Sequence, residues 1–281
     1  LFAGSDFAAL EDRINAILTG DLAKIKIYSE GYDGHCLRAY SYYGHLMPLI
    51  TSTDPDSINS IKTLYPELRD KSKSPSFAMA YLGTWITLVN NLGFEEAEAR
   101  ALEVAYHKLY AASDAYATGL QMKASKDGYI TLAFGLRLRT PVLHRSVLGS
   151  RAPFAAITEG RSAYNADSQS WGLLTNRAVI ALREKLMQAP EHIQEGILFI
   201  NVIHDANYQL VKKCPECIKW LNDNVIKEMQ WTCPQIYHPE VPMAADLDIG
   251  TSWKDMKTLK NNASIEDIKE FLHEIESNTD S

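Results

Sequence analysis

The chain has few cysteines, no long apolar run and no excess of basic residues. Four cysteines in 281 residues leave disulfides disfavoured in a reducing compartment. No apolar run reaches the roughly 18 residues that a membrane span needs, and Leu1 to Ala3 is too short for a signal peptide, so we expect a cytoplasmic protein. The formal charge is −7, from 28 basic and 35 acidic residues. Any contact with a polyanion must therefore come from a local basic surface or from another chain.

The length, hydrophobic content and residue patterns are typical of a well-packed chain of mixed secondary structure. A length of 281 residues with 46% hydrophobic content allows two substructures with their own cores. Strands are predicted at 1–7, in a short strand and turn at 128–141, and in a hairpin at 197–213. Helices are predicted at 9–19, 34–46, 69–91, 95–124, 168–187 and 215–231. There is no internal repeat and no low-complexity linker.

Four residues at four-residue spacing form the first candidate site. Arg69, Lys73, Phe77 and Tyr81 would share one face of a helix over about 18 Å. The cations suit phosphates, the ring can lie against a base or sugar, and the phenol can close the pocket, so this face can hold a nucleoside triphosphate. The spacing alone favours the solvated face of an ordinary amphipathic helix.

Two aspartates at predicted strand ends form the second candidate site. Asp6 ends an apolar run, and Asp205 lies in a tight His-Asp-Ala-Asn turn between two apolar strands. Strand ends are rigid enough to hold two carboxylates within a few ångströms, as a two-magnesium phosphoryl-transfer site requires. For either aspartate alone, turn or cap chemistry is the favoured interpretation.

Five motifs in order now resemble the C-terminal half of a family A, polymerase I-like DNA polymerase, especially bacteriophage forms, over about residues 1–255. They are DFAALEDR from Asp6, DGHCLRAYSYYG at 33–44, Arg69-x3-Lys73-x3-Phe77-x3-Tyr81, Arg161-x3-Asn165-x3-Gln169, and His204-Asp205. The resemblance implies an α+β fold. Its right-hand palm, an antiparallel sheet with helices, would occupy 1–25 and 141–255, with inserted, mostly helical fingers at 26–140. The thumb and exonuclease would be absent, and 256–281 would be a tail.

The same resemblance implies template-directed addition of a dNTP to a primer 3′ end on primer-template DNA, in the host cytoplasm if the protein is viral. Glu11 would exclude the ribose 2′ hydroxyl. The implied site residues are Asp6, Asp205 and Lys73 for catalysis; Asp6, Asp205 and the Phe7 carbonyl for two Mg²⁺ ions; Arg69, Lys73, Phe77, Tyr81, Glu11 and His35 for the nucleotide; and Arg161, Asn165, Gln169 and His204 for DNA.

Three positions depart from the family pattern. Ala206 stands where an acidic residue normally follows His-Asp, so a third carboxylate is either dispensable or elsewhere. Pro75 would remove a helical hydrogen bond, so the fingers helix is expected to start late or kink there. Leu82 separates Tyr81 from Gly83, which puts the geometry of that helix end in question.

The sequence also offers alternatives to this function and a possible additional site. A single-subunit RNA polymerase would have a small residue in place of Glu11, a metal-dependent nuclease would not need the Arg-Lys-Phe-Tyr face, and a catalytically silent nucleic-acid-binding subunit would not need the intact carboxylates. A Cys3His zinc site at Cys214, Cys217, Cys233 and His238 has tolerable spacing, but ordinary reduced cysteines are the favoured interpretation.

Two further expectations concern partners. The amphipathic segment 264–276 is expected to pack as a helix on its own palm, with docking to a partner as the alternative. The chain is expected to be one piece of a divided, processed or truncated polymerase, with a second polypeptide supplying the thumb and upstream palm. The acidic charge is one reason. The other is that the 1–7 strand would otherwise be a bare edge in a central sheet.

Overall fold

The structure is a computed structural model that describes residues 1–146 and 154–277. The chain divides into two compact units. One comprises Leu1–Glu11, Trp171–Tyr237 and Pro242–Ser281, and we call it the sheet unit. The other comprises Asp12–Ser170 and His238–Val241, and we call it the helical unit. The units change over at residues 11 and 170, whereas the sequence placed the boundaries of the fingers at 26 and 140.

The elements of the described chain alternate helices with a few strands. The helices are α1 (Leu10–Thr19), α2 (Leu22–Ser29), α3 (Gly34–Tyr43), α4 (Pro55–Asn59), α5 (Ile61–Leu64), α6 (Pro66–Ala80), α7 (Trp85–Leu92), α8 (Glu96–Leu109), α9 (Ala111–Asp127), α10 (Pro141–Arg145), α11 (Phe154–Gln169), α12 (Leu173–Leu186), α13 (Glu191–Gln194), α14 (Pro215–Met229) and α15 (Ile265–Ser277). The strands are β1 (Phe2–Phe7), β2 (Tyr129–Thr131), β3 (Arg137–Arg139), β4 (Ile197–Ile203), β5 (Ala206–Val211), β6 (Ala245–Gly250) and β7 (Lys257–Leu259). None of these helices is both long and apolar enough to cross a membrane.

A five-stranded antiparallel sheet, in the order β4-β5-β1-β6-β7, organises the sheet unit. The strand β1 is central, and both of its neighbours, β5 and β6, come from this chain. The expectation that the 1–7 strand is a bare edge is therefore wrong. The upstream neighbour that we assumed is not needed, because segments far downstream in the sequence supply the pairing on both sides.

The two faces of this sheet differ in polarity. Successive side chains of a strand point to opposite faces, and Ala3, Ser5 and Phe7 of β1 are buried on one of them. The helix α14 contacts β1 and β6, and its Ile218, Leu221, Val225 and Met229 are buried, as the sequence predicted. Asp6 is exposed on the opposite face. Helix packing thus fixes which face of the sheet is left for chemistry.

The C-terminal helix packs on the sheet unit to which it belongs. Ile268, Leu272 and Ile275 of α15 are buried, and the helix contacts α14. At its start, Ser264 and Asp267 exchange side chain-to-backbone hydrogen bonds of 2.8 and 3.0 Å, which is the capping box read from the sequence. The prediction of a helix packed on its own chain is confirmed, and the alternative of an apolar face reserved for a partner is wrong for these three residues.

The helical unit is built around α3, which packs against α6 and α8. Cys36, Ala39, Met79, Leu102 and Tyr110 are among the buried residues of this core. The predicted strand and turn at 128–141 is a two-stranded hairpin of β2 and β3, joined by a turn in which Phe134 has a positive φ of 55°.

Two of the predicted helices are broken. The 69–91 segment is two helices, α6 and α7, separated at residues 81–84, and the 95–124 segment is α8 and α9, separated at Tyr110. The expected late start is also wrong, because α6 begins at Pro66 and remains helical through Pro75. Pro66 is at the first helical position, where proline lacks only an N–H that has no helical partner.

Candidate functional site

Asp6 and Asp205 meet on the open face of the sheet. Asp6 pairs with Ala206 across β1 and β5, and Asp205 belongs to the two-residue turn that joins β4 to β5. His204, the other turn residue, has a φ of 54°, in the left-handed region that residues other than glycine seldom adopt. The predicted strand ends therefore do bring the two carboxylates together.

Asp246 and Asp248 add further carboxylates that the sequence analysis missed. Asp246 pairs with Asp6, and Asp248 pairs with Gly4, so both side chains lie on the face that carries Asp6. The Oδ1 atom of Asp248 is buried and has no hydrogen-bond partner. The signal was present in the alternating sequence Ala-Asp-Leu-Asp-Ile-Gly, which places aspartates at every second position of one strand.

These charges act on one another. Partial burial raises the pKa of Asp6, and the negative charges of Asp205 and then Asp248 raise it further, against one backbone hydrogen bond from Phe7. Burial also raises the pKa of Tyr208, as do the charges of Asp6, Asp205 and Asp248. The face therefore carries more negative charge than its own hydrogen bonds neutralise, which favours a cation.

The donor set fits magnesium. Carboxylate and carbonyl oxygens are the ligands that Mg²⁺ prefers, and the unpartnered oxygen of Asp248 points to an unmet demand for positive charge nearby. Within residues 1–146 and 154–277, no group of three or more His, Cys, Asp or Glu side chains is arranged to hold a metal ion on its own. A site here would thus need backbone, water or substrate oxygens, as magnesium sites at phosphates commonly do. The absence of such a group among the described residues also applies to the four residues considered for zinc, Cys214, Cys217, Cys233 and His238.

An aromatic patch borders the carboxylates on the open face. The rings of Phe2, Tyr208 and Trp253 lie 4.7 to 5.6 Å apart between centroids. Tyr208 lies over Gly4, where an added Cβ would come within 2.7 Å of its ring. Glycine at this position lets the phenol cross the central strand.

A second cluster lies in the helical unit at the start of α3. Asp33 caps this helix by accepting hydrogen bonds from the backbone N–H groups of His35 and Cys36, and it forms an ion pair with Arg69 of α6 at 2.7 Å. Burial alone would raise the pKa of Asp33, but Arg69 and the two N–H groups hold it below its usual value. Asp33 thus fixes the start of α3 against α6.

His35 lies between this ion pair and the aromatic residue of α6. Its ring centroid is 6.1 Å from that of Phe77. Burial lowers the pKa of His35, and the charges of Arg38, Arg69 and Lys73 lower it further, against Asp33. Lys73 forms an ion pair with Asp70 at 2.7 Å, and 56% of the surface of Phe77 is exposed. The structure thus brings together Arg69, Lys73, His35 and Phe77.

Tyr81 stands outside the helix that carries the other three. It is the C-terminal cap of α6, with φ −96° and ψ 26°, and 40% of its surface is exposed. The helix closes with two hydrogen bonds, from Leu82 N–H to the Met79 carbonyl (2.9 Å) and from Gly83 N–H to the Ala78 carbonyl (2.8 Å). This is a Schellman motif, with Leu82 rather than glycine at the left-handed position, at a φ of 57°.

The remaining predicted residues lie on two helices. Arg161, Asn165 and Gln169 follow one another at four-residue spacing on α11, and Gln169 is exposed. The Oδ1 atom of Asn165 is buried without a hydrogen-bond partner. Glu11, exposed in the first turn of α1, belongs to the sheet unit.

The predicted site residues thus fall into two groups. Asp6, Phe7, Glu11, His204 and Asp205 belong to the sheet unit. The other eight belong to the helical unit: His35 on α3, Arg69, Lys73 and Phe77 on α6, Tyr81 at its C-terminal cap, and Arg161, Asn165 and Gln169 on α11.

Comparison with solved structures supports the fold. The POL domain of Pol1 from M. smegmatis, in a complex with DNA primer-template and dNTP, aligns with a TM-score of 0.68 at 24% sequence identity. The alignment covers 90% of this chain and 40% of that chain. The α+β palm and fingers fold expected from the sequence is therefore confirmed.

Comparison with sequences gives the family. The chain matches the model of DNA polymerase family A over residues 1–255. It is 24% identical to the thermostable DNA polymerase I of Thermus filiformis over 258 residues, which is 92% of this chain and 27% of that protein. It is 28% identical to a DNA polymerase of Mycobacterium phage D29 over 138 residues, 49% of this chain and 20% of that protein. The chain spans about a quarter of the length of such curated relatives. It belongs to DNA polymerase family A.

Proposed function

We propose that this chain catalyses template-directed DNA synthesis, adding dNTPs to a primer 3′ end by two-metal nucleotidyl transfer, as the palm and fingers piece of a divided or processed DNA polymerase. The observation that carries the proposal is the meeting of Asp6 and Asp205 on the open face of the sheet, where their charges act on each other. Membership of the family supports it.

The carboxylates of Asp6 and Asp205, with the backbone carbonyl of Phe7, would hold two magnesium ions. When bound, these ions lower the pKa of the primer 3′ hydroxyl and neutralise charge on the triphosphate. Asp248 adds a further negative charge beside Asp6, in a chain that has Ala206 where the family normally has an acidic residue. In this proposal Asp248 strengthens the attraction of the face for cations without being a required ligand.

The cationic cluster would bind the triphosphate. Arg69 and Lys73 would stabilise negative charge that develops on the phosphates as the bond to the leaving pyrophosphate breaks. Each is paired with a carboxylate, Asp33 and Asp70 respectively, so the phosphate would compete with or share these ion pairs. The Asp70 pair is the more exposed and would exchange more readily, because solvent screens an exposed ion pair.

Sugar and template contacts complete the proposal. Phe77 would stack on the incoming nucleotide, with Tyr81 and Glu11 closing the sugar pocket so that a ribose 2′ hydroxyl is excluded. His204 would hold the primer terminus. On α11, Arg161, Asn165 and Gln169 would contact the template and the minor-groove acceptors that correct base pairs share.

A second polypeptide that carries the thumb and upstream palm would complete the DNA-binding surface. The formal charge of −7 supports this, because each phosphate that is neutralised on binding requires a basic group. The strand β4 also supports it. This strand is at the edge of the sheet and exposes Leu198, Ile200 and Val202, an apolar edge that proteins usually cover.

Magnesium-dependent primer extension tests the proposed function. Asp6→Asn and Asp205→Asn should each lower single-turnover incorporation by about a thousandfold, because each removes charge that binds and orients the metal ions. Asp223→Asn is the matched control. It makes the same chemical change at a surface pair with Lys219 and should leave the rate within about twofold. Extension by either site variant within tenfold of the parent would contradict the assignment.

The assay should be run on the chain alone and after addition of an upstream fragment of a family A polymerase. Rescue of weak primer-template binding by that fragment supports the divided arrangement. Tight binding and sustained synthesis by the chain alone contradict that arrangement and leave the catalytic assignment intact. Absence of extension under both conditions contradicts the catalytic assignment itself and favours a silent nucleic-acid-binding subunit.

A further inference from the structure

We propose that Arg38, held by Asp12 and Tyr110, fixes the ring of His35 in the tautomer that donates from Nε2, so that the ring presents an N–H donor among the phosphate-binding cations. Arg38 is thus assigned as a positioning residue that acts through His35. This inference rests on the proposed function for the role of His35, although the tautomer itself does not depend on catalysis.

The side chains of Arg38 and His35 are in contact. Arg38 lies one turn after His35 on α3, and its Nη2 atom is 3.5 Å from Nδ1 of the imidazole. A guanidinium has only N–H donors and no acceptor, so the imidazole nitrogen that faces it must be the acceptor. In a neutral imidazole the proton then resides on the other nitrogen, Nε2.

Arg38 is held in place by Tyr110 and Asp12. Its Nη1 atom donates to the hydroxyl of Tyr110 at 3.3 Å and is 3.9 Å from a carboxylate oxygen of Asp12. Only 13% of the Arg38 side chain is exposed, and Tyr110 is fully buried. A guanidinium with so little access to water has few alternative positions. It therefore holds the imidazole in one orientation.

Asp12 is in turn held in place by Tyr28 and Lys24. The hydroxyl of Tyr28 donates to its carboxylate at 2.7 Å, and the buried ammonium of Lys24 is 3.8 Å away. Lys24 in turn donates to the side chain of Asn15 at 2.6 Å. The carboxylate of Asp12 thus interacts with two cations, Lys24 and Arg38. Buried ionic networks of this kind seldom add stability over an apolar core, which favours a positional role for this one.

The surroundings of His35 favour its neutral form. Three cations act on it, Arg38, Arg69 and Lys73, against the carboxylate of Asp33. The imidazole also interacts electrostatically with the carboxylates of Asp12 and Asp70. Burial and the three cations lower the pKa of the imidazole. A neutral ring at pH 7 is the form that can accept from Arg38 on one side and donate to an anion on the other.

Nitrogen NMR of the imidazole tests the tautomer directly. In the parent chain, labelled with ¹⁵N-histidine, Nδ1 of His35 should show the shift of an unprotonated nitrogen and Nε2 that of a protonated one. Arg38→Met removes the guanidinium, keeps an unbranched apolar stem, and should give a mixture of tautomers and a raised His35 pKa. Lys26→Met, at an exposed cation of α2, should change neither. A protonated Nδ1 in the parent, or no change in Arg38→Met, overturns the proposal.

Primer extension tests the consequence. Arg38→Met should raise KM for the dNTP by about tenfold and change kcat by less than about threefold. The reason is that the His35 ring would no longer be fixed as an N–H donor to the triphosphate, and that hydrogen bond acts on nucleotide binding. In a His35→Ala background the same change should add almost nothing to KM. Equal effects in both backgrounds would assign Arg38 a merely structural role and overturn the proposal.

Arg38→Lys keeps the charge but cannot bridge His35, Tyr110 and Asp12 together, so it is the second variant if Arg38→Met does not fold. It should show the tautomer mixture with a smaller rise in the His35 pKa, and a parent-like spectrum would overturn the proposal. The NMR measurement needs no activity. Failure of the tautomer assignment can therefore be distinguished from failure of the proposed polymerase function.

Discussion

Adding one methyl group should have opposite effects at two glycines of the helical unit. At Gly83, directly after the end of α6, a Cβ would lie 2.6 Å from the backbone oxygen of Ala78 and 3.0 Å from its carbonyl carbon. Both atoms are backbone, so the helix end itself would have to move. At Gly119, within α9, a Cβ would meet nothing within 4 Å. The two sites thus allow the same substitution to be compared with and without a steric conflict.

The structure gives the size of each effect. Gly83→Ala should break the 2.8 Å hydrogen bond from Gly83 N–H to the Ala78 carbonyl and force an overlap of several tenths of an ångström. A lost hydrogen bond with local strain should lower the free energy of unfolding by about 1.5–3 kcal/mol. Gly119→Ala should raise it by about 0.5–1 kcal/mol, because alanine loses less backbone entropy in a helix.

Urea unfolding followed by far-UV circular dichroism measures both changes, and the slope of each transition shows whether it remains two-state. Single-turnover primer extension should separate them as well. Gly83→Ala displaces the end of the helix that carries Tyr81 and should raise KM for the dNTP, whereas Gly119→Ala should leave it unchanged. Equal stability changes of the same sign, or a Gly83→Ala chain as stable as the parent, would refute the account of this helix end.

Three further substitutions test other parts of the structure. Glu228→Gln should lower the free energy of unfolding by about 1–2 kcal/mol at pH 7. Burial alone would raise the pKa of Glu228, but ion pairs with Lys185 and Arg177 hold it below its usual value, so its stabilisation is present above the ordinary glutamate pKa and is lost as pH falls through the lowered one. The deficit should therefore disappear on acidification, and a pH-independent deficit in urea unfolding would contradict this. Glu11→Ala should admit ribonucleotides, and Phe77→Tyr should ease the use of dideoxynucleotides; unchanged discrimination in single-turnover incorporation would show that neither residue lies at the sugar.

Local patterns predicted the elements whose signals are strong. The hairpin of β4 and β5 follows from two apolar runs around a tight turn, and the buried face of α14 follows from helical spacing of its apolar residues. The hairpin and this helix face need no knowledge of distant contacts. The placement of Asp6 beside Asp205, by contrast, requires β1 to pair with β5, and that pairing joins residues about 200 positions apart.

Features set by tertiary contacts could not be predicted in this way. The break between α8 and α9 at Tyr110 has no glycine or proline to mark it, and Tyr110 is fully buried with its hydroxyl bonded to Arg38. The central position of β1 depends on pairing with residues 200 or more positions away. Asp248 lies within β6, whereas the sequence signals for functional carboxylates were those at strand ends.

The break between α6 and α7 shows a different limit. The spacing of Arg69, Lys73, Phe77 and Tyr81 predicts one continuous helix, because a glycine inside a helix costs only about 1 kcal/mol and does not mark an end by itself. The structure ends α6 at Ala80, with Leu82 in the left-handed conformation that glycine usually supplies. A side chain at that position hides the end signal from a reading of the sequence.

The central claim is that this chain copies a template. Its most direct test is single-nucleotide incorporation on four primer-templates that differ only in the templating base, with each dNTP supplied alone, with and without Mg²⁺, and in the presence of an upstream polymerase fragment. The account predicts magnesium-dependent addition of only the complementary dNTP in each case, and its loss in Asp6→Asn. Addition that ignores the templating base, or none on any template, would contradict it.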